Sequence, residues 1–189
     1  MNGPITAYAM VGFSTIRYEY TNHFVANKVD STTGEPDPDS GTLKQKSDWI
    51  TGGQVKGGIS YRFNPSIQFY GNAGYVSKVP IFDAVINDKT GDLIKNEGNE
   101  KFISFEIGSN LNLLKNKLKV KSNLYFTTWT NQTVTDSEYD QFTGEEGIVV
   151  ITNMDAQHYG WEIDAAYQPI SLLRLDAATS FGNWKTTSD

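Results

Sequence analysis

The stretch from Ser47 to Lys78 alternates apolar and polar residues along two long arms separated by a short break. In the first arm Trp49, Val55, Ile59, Tyr61 and Phe63 share one parity, and Gln54, Lys56, Ser60 and Arg62 share the other. A β-strand sends successive side chains to opposite faces, so this arm has one apolar and one polar face. The break is Asn64-Pro65-Ser66, a run of turn formers. The second arm sets Ile67, Phe69, Ala73 and Tyr75 against Gln68, Asn72 and Lys78. The pattern predicts a long antiparallel hairpin. Its arms exceed the common strand length of about 5–6 residues and match the about 9–11 residues that a tilted strand needs to cross a bilayer. Trp49 at one end of the apolar face, and Tyr61 and Phe63 at the other, fit the aromatic-flanked outer surface of a membrane barrel with a polar lumen behind it. The competing reading is a long hairpin in a soluble sheet.

The rest of the chain follows the same plan. Further strands are predicted over Ile5–Tyr20, Phe102–Leu114, Leu118–Thr135, Asp155–Gln168 and Leu172–Lys185, each with alternating faces. The connections alternate in length. Thr21–Lys46, Val79–Lys101 and Asp136–Met154 are long and polar, whereas Asn64-Pro65, Lys115-Asn116-Lys117 and Pro169-Ile170-Ser171 are short. Antiparallel strands put connections of one length class at one end. Outer-membrane barrels place short turns in the periplasm and long loops outside, and a soluble meander has no reason to sort its loops this way. The β-branched run Ile148–Thr152 could extend the following strand beyond the membrane or form a small outer hairpin. The expected fold is all-β: an antiparallel up-and-down transmembrane β-barrel segment of about seven long strands. Seven is an odd number and leaves two open edges, which hydrocarbon does not tolerate. The chain also shows no signal peptide at Met1 and stops just after a strand. Residues 1–189 are therefore expected to be part of a larger barrel domain. Expressed alone in water, the segment is not expected to fold as a stable monomer.

Composition agrees. Mean hydropathy is −0.44 with 38% hydrophobic residues, too polar for a helical membrane protein but suited to strands of which alternate residues face lipid. The net charge of −6 argues against a nucleic-acid partner. The absence of cysteine removes disulfides and thiolate metal sites.

No catalytic constellation, resident cofactor or metal site is expected. His158 lacks a singled-out serine partner, and its simpler reading is a polar lumen residue; His23 reads as a loop residue. Asp30, Glu35, Asp37 and Asp39, and separately Asp88 and Asp92, lack the ligand spacing of a calcium loop. Asn131-Gln132-Thr133 matches a glycosylation sequon that has no meaning in a bacterial outer membrane. The expected lumen face carries Lys56, Arg62, Glu106, Lys119, Lys121, Glu162, Asp164, Arg174 and Asp176, mixed in sign. A pore selective for one ion type would favour rings of one sign. Mixed charges fit a lumen packed against a polar plug. In the long loops Phe82, Asp83, Tyr139 and Phe142 are the candidate ligand contacts, because binding residues gather on loops carried by rigid scaffolds. Expected membrane-facing residues are Val55, Ile59, Phe69, Ile107, Leu124, Ile163 and Leu175.

Stretches across most of Trp49–Lys185 resemble the barrel domain of TonB-dependent outer-membrane receptors. Tyr75-Val-Ser-Lys-Val-Pro-Ile-Phe-Asp83 is similar to that family's strand end running into a Ser-Arg-x-Pro-x-Phe loop, with Lys78 in place of the usual Arg. Asn99-Glu-Lys-Phe-Ile-Ser-Phe-Glu-Ile-Gly108 resembles the following strand, with Asn99 in place of Pro before Glu100. Asn153-Met-Asp-Ala-Gln-His-Tyr-Gly-Trp-Glu-Ile-Asp164, with Pro169, Leu173 and Leu175, resembles a late-barrel hairpin. The resemblance implies a Gram-negative outer-membrane location, lipid as a neighbour, and a wall of a plugged barrel of about 22 strands. It further implies uptake of a scarce siderophore-iron, vitamin or oligosaccharide ligand. The plug domain and TonB complex would act through parts of the parent protein not present in this sequence. A passive porin or structural or adhesive barrel is the alternative; a soluble carbohydrate-binding β-sheet protein, with aromatic stacking platforms, is a second.

Overall fold

The computed structural model describes residues 3–26, 41–87, 90–94, 98–139 and 146–187. The strands are β1 (Ile5–Ile16), β2 (Glu19–Ala26), β3 (Thr42–Lys46), β4 (Ile50–Asn64), β5 (Ile67–Lys78), β6 (Glu100–Leu113), β7 (Leu118–Tyr139), β8 (Glu146–Ile170) and β9 (Leu173–Thr186). Seven of them form one antiparallel sheet in the order β1-β4-β5-β6-β7-β8-β9, an up-and-down meander, while β2 and β3 pair separately. This is the all-β architecture expected from the alternation. No described helix is long and apolar enough to cross a membrane.

The register keeps the two faces continuous across the sheet. One row runs Ala7, Ile59, Gly71, Ile107, Leu124, Trp161 and Phe181; the adjacent row on the other face runs Tyr8, Gly58, Asn72, Glu106, Tyr125, Gly160 and Gly182. Because side chains repeat with period two, a slip of one residue would mix the faces. Burial is inverted relative to a water-soluble sheet. Ile107 is 62% exposed, Leu124 53% and Phe69 50%, while Glu106, Asn72 and Lys56 on the opposite face are half-buried. Val55, Ile59 and Leu175 are likewise exposed on the apolar face; Ile163 shares that face but is half-buried. Trp161 also lies on this face, and its indole N–H donates to Ser122 Oγ at 2.7 Å, so the ring's one polar hydrogen is satisfied.

The short turns are close to expectation. At the first, Ser66 N donates to Asn64 Oδ1 at 2.8 Å. At the second, Leu114, Lys115 and Asn116 all have positive φ, a left-handed path taken without glycine. The third is Ser171-Leu172, slightly later than expected.

The long connections differ from expectation. The first strand stops at Ile16 rather than Tyr20, because Tyr18 and Ser47 pinch the two chains together: Ser47 N donates to Tyr18 O at 3.0 Å and Tyr18 N to Ser47 Oγ at 2.9 Å. Beyond the pinch, pairing resumes as β2–β3 from Glu19↔Lys46. The described ends of the expected 21–46 loop, 21–26 and 42–46, thus lie in a two-stranded ladder beyond β1 and β4, and the acidic stretch between them lies outside the described residues. The expected 79–101 loop contains a 3-10 turn, Phe82–Ala84, and an Ile86↔Leu93 bridge. The expected 136–154 loop is also largely strand among its described residues, and Ile148–Thr152 extends the following strand, the first of the two possibilities the sequence offered. At about 3.3 Å per residue, the 22 residues of β7 and 25 of β8 reach far past a hydrocarbon layer of about 30 Å. The ladder is bulged above Trp129, where Asn131 and Asn153 take positive φ.

Candidate functional site on the polar face

The polar face is held together by hydrogen bonds between side chains on adjacent strands. Glu106 is a hub: Tyr70 donates its hydroxyl to Oε1 at 2.9 Å, and Asn72 donates Nδ2 to Oε2 at 3.3 Å. Tyr8 completes the chain by donating to Asn72 Oδ1 at 3.2 Å. Asn123 donates to Glu162 at 3.0 Å, and Thr127 to Ser104 at 3.1 Å. Glycines leave room for the tyrosine rings. A Cβ on Gly108 would stand 2.5 Å from Tyr70 Cζ, and one on Gly160 would stand 2.7 Å from Tyr125 Oη.

Hollows open on this face. One of about 480 Å³ is lined by Tyr8, Lys56, Asn72, Phe102, Ser104 and Glu106 among others, so it brings together Lys56 and Glu106. A second, of about 440 Å³, lies toward the short turns and gathers Lys119, Lys121, Asp164, Arg174 and Asp176. Arg174 and Asp176 form a bidentate pair, with Nη2 to Oδ1 at 2.7 Å and Nε to Oδ2 at 2.9 Å. Arg62 is exposed near the first short turn, away from both groups. His158 shares the face and lies 6.2 Å from the Trp184 ring. Among the described residues no three His, Asp or Glu side chains gather as a metal ion would need. Asp30, Glu35, Asp37, Asp39 and Asp88 lie outside the described residues.

At the end bearing the long connections the sheet carries a packed cap. Phe82 lies edge-on to Tyr18 at 5.6 Å and near Tyr20 at 6.5 Å, and the following Ala84, Val85 and Ile86 are buried. Tyr18 donates its hydroxyl to Pro80 O at 2.8 Å. Burial holds that phenol above its ordinary range, with the Lys78 charge pulling weakly the other way. Beside the cap, Glu100 is 1% exposed, bonded to Lys78 Nζ at 2.9 Å and Trp129 Nε1 at 3.0 Å. Asn99 ties the loop end to the sheet, donating to Thr51 O and Ser77 Oγ, both at 2.7 Å. The sequence alone singled out neither Glu100 nor Tyr18; the sole signal for Glu100 was its place in the motif beginning at Asn99. Of the candidate ligand residues, Phe82 and Asp83 are half-buried within the cap, Tyr139 is 61% exposed at the end of β7, and Phe142 lies outside the described residues. Among the described three, no ring contact joins Tyr139 to Phe82, whose ring neighbours are Tyr18 and Tyr20. Asn131 of the sequon sits in the bulge with its Nδ2 bonded to Gly98 O.

The family model described as TonB dependent receptor-like, beta-barrel, matches residues 15–189. No curated protein sequence matches the chain. Among solved structures, a copper transporter, OprC, superposes with a TM-score of 0.61 at 16% identity, covering 94% of this chain and 27% of its own. The ferric-catecholate import receptor Fiu of E. coli K12, in a closed form, superposes with a TM-score of 0.60 at 13% identity, covering 98% of this chain and 26% of its own. The chain thus spans about a quarter of the length of these structures.

Proposed function

Because the chain belongs to the TonB-dependent receptor-like β-barrel family, and hence to outer-membrane barrels of Gram-negative bacteria, we propose that it forms part of the wall of a plugged barrel that imports a scarce ligand. The ligand class is siderophore-iron, vitamin or oligosaccharide, and import draws on the TonB complex through the rest of the parent protein. The inverted burial carries this reading. Exposed Ile107, Leu124 and Phe69 suit lipid, and half-buried Glu106, Asn72 and Lys56 suit a lumen. The mixed charges of Lys56, Arg62, Glu106, Lys119, Glu162, Asp164 and Arg174 suit contact with a polar plug better than an ion-selective pore. The long connections lie outside the cell. There Tyr139, exposed beyond the membrane on the β7–β8 ribbon, is the foremost described candidate for ligand capture, with Asp83 behind it on the cap. Phe82 serves mainly to hold the cap together.

The test is ligand accumulation by cells carrying the full-length parent, with and without a working TonB complex. Accumulation that collapses without TonB supports the proposal. Accumulation that persists would instead support the passive-porin reading.

A further inference from the structure

Lys56 stands on β4, an inner strand of the sheet, and is half-buried on the polar face. Among the described residues it has no ion-pair partner. Its row continues through Gly74 on β5, Ser104 on β6 and Thr127 on β7. Gly74 gives that row a bare floor between two polar side chains. The Lys56 stem leans over the floor: a Cβ at Gly74 would stand 3.2 Å from Lys56 Cγ. On the far side Ser104 Oγ accepts from Thr127 Oγ1 at 3.1 Å, which leaves the Ser104 hydroxyl hydrogen free to donate. Strands β4 and β6 lie about 10 Å apart, two strand spacings. An ammonium and a hydroxyl donor thus flank the floor from opposite sides.

The hollow of about 480 Å³ that holds this row differs at its two ends. Toward the long connections it is walled by Val76 and Phe102, and Trp129 braces the Phe102 ring at 4.6 Å between centroids. Toward the short turns it is walled by Asn72 and Glu106, which bond each other. Tyr8 donates to the Asn72 oxygen and Tyr70 to the other Glu106 oxygen, so the acid of the hollow is held by neutral donors rather than by Lys56.

We infer that this hollow binds a carboxylate carried on a flat apolar body, as a subsite for the imported ligand. The Lys56 ammonium and the Ser104 hydroxyl donate charge-assisted hydrogen bonds to the carboxylate oxygens, and the apolar body lies against Phe102 and Val76. A partly buried pair of this kind is screened less than one in open water. The inference rests on the proposed reading of this face as an import lumen, and it takes Lys56 out of the set of charges that meets the plug.

The experiment places a cysteine at Val76 in an otherwise cysteine-free full-length parent, purified in detergent. Modification of that thiol by a small neutral methanethiosulfonate is timed with benzoate, with benzamide, or with neither. Benzoate offers a carboxylate on a flat ring; benzamide keeps the ring and lacks the charge. Benzoate should slow modification and benzamide should not. Lys56→Gln should raise the benzoate concentration needed for half protection by about tenfold or more, and Lys56→Met serves if the glutamine variant does not assemble. Lys56→Arg, which keeps the charge, should retain most of the protection, and Ser104→Ala should give a smaller loss. A thiol that the reagent cannot reach would mean that the plug fills the hollow, and would overturn the proposal. So would protection by benzoate no greater than that by benzamide, or protection indifferent to Lys56. The labelling needs neither the TonB complex nor the natural ligand, so its failure leaves TonB-dependent accumulation to stand or fall on its own test.

Discussion

Lys78 and Glu100 face each other across the β5–β6 ladder, Nζ to Oε1 at 2.9 Å, with the Glu100 side chain 1% exposed and that of Lys78 48% exposed. The pair is unequal. Without Glu100, Lys78 turns to water. Without Lys78, Glu100 keeps a buried charge and only the Trp129 indole N–H. We therefore expect Lys78→Met to destabilise the parent by about 3–5 kcal/mol, and Glu100→Gln by about 1–2 kcal/mol. Urea unfolding in detergent would measure both. A larger effect for Glu100→Gln would show that the carboxylate is not the group that depends on its partner.

Gly108 and Gly71, on opposite faces of the sheet, differ in what surrounds them. On the polar face a Cβ at Gly108 would meet Tyr70 Cζ at 2.5 Å and Ser122 O at 2.8 Å. On the apolar face a Cβ at Gly71 would find Glu106 O no nearer than 3.8 Å. Gly108→Ala should cost about 1–3 kcal/mol through overpacking, whereas Gly71→Ala should be neutral or mildly stabilising. The folded fraction by heat-modified gel mobility compares them, and equal losses would refute the account of the tyrosine cradles.

The Glu106 hub joins Tyr70 and Asn72. Glu106→Ala strands two donors on a half-buried face and should cost about 1–3 kcal/mol, while Glu106→Gln keeps one acceptor and should lose less. Thermal unfolding of the two variants orders them. A lumen side chain that was merely solvated would show no difference.

The cap should respond to alkaline pH. Tyr18 donates a hydrogen bond and its phenol is held above its ordinary value of 10.0 by burial, so the folded form favours the neutral group. Its contribution is complete below the unfolded value and is lost as pH rises through the higher folded value. Protease cutting within 79–98 on intact membranes should stay flat below pH 10.0 and increase above it. Tyr18→Phe should remove that step. An identical step in the variant would assign it to another group.

Much of this architecture was legible because alternation at period two survives in every spanning strand: Val55 against Lys56 and Ile107 against Glu106 needed no tertiary knowledge. The sorting of loop lengths was equally local. What escaped were elements without an apolar face. The β2–β3 pairing from Glu19↔Lys46 carries polar residues on both sides, and the β7 side of the ribbon beyond the bulge at Asn131 reads as a polar loop until its cross-strand partners are known, whereas Ile148–Thr152 on the β8 side was legible as an extension of the following strand. The same holds for the cap. Phe82 looks like a free loop aromatic in sequence, and only the fold brings Tyr18 and Tyr20 to it.

The central claim is that the apolar face meets lipid and the polar face the lumen. At Ile107, 62% exposed in the middle of β6, an arginine should cost about 2–4 kcal/mol if it lies near the bilayer midplane. The most direct measurement places a nitroxide label at Ile107 and, separately, at the neighbouring Glu106 of the full-length parent in bilayers. We expect the label at Ile107 to be relaxed by oxygen dissolved in lipid and shielded from a water-soluble nickel chelate, and the label at Glu106 to show the converse. Reversed accessibilities would contradict the assignment of both faces.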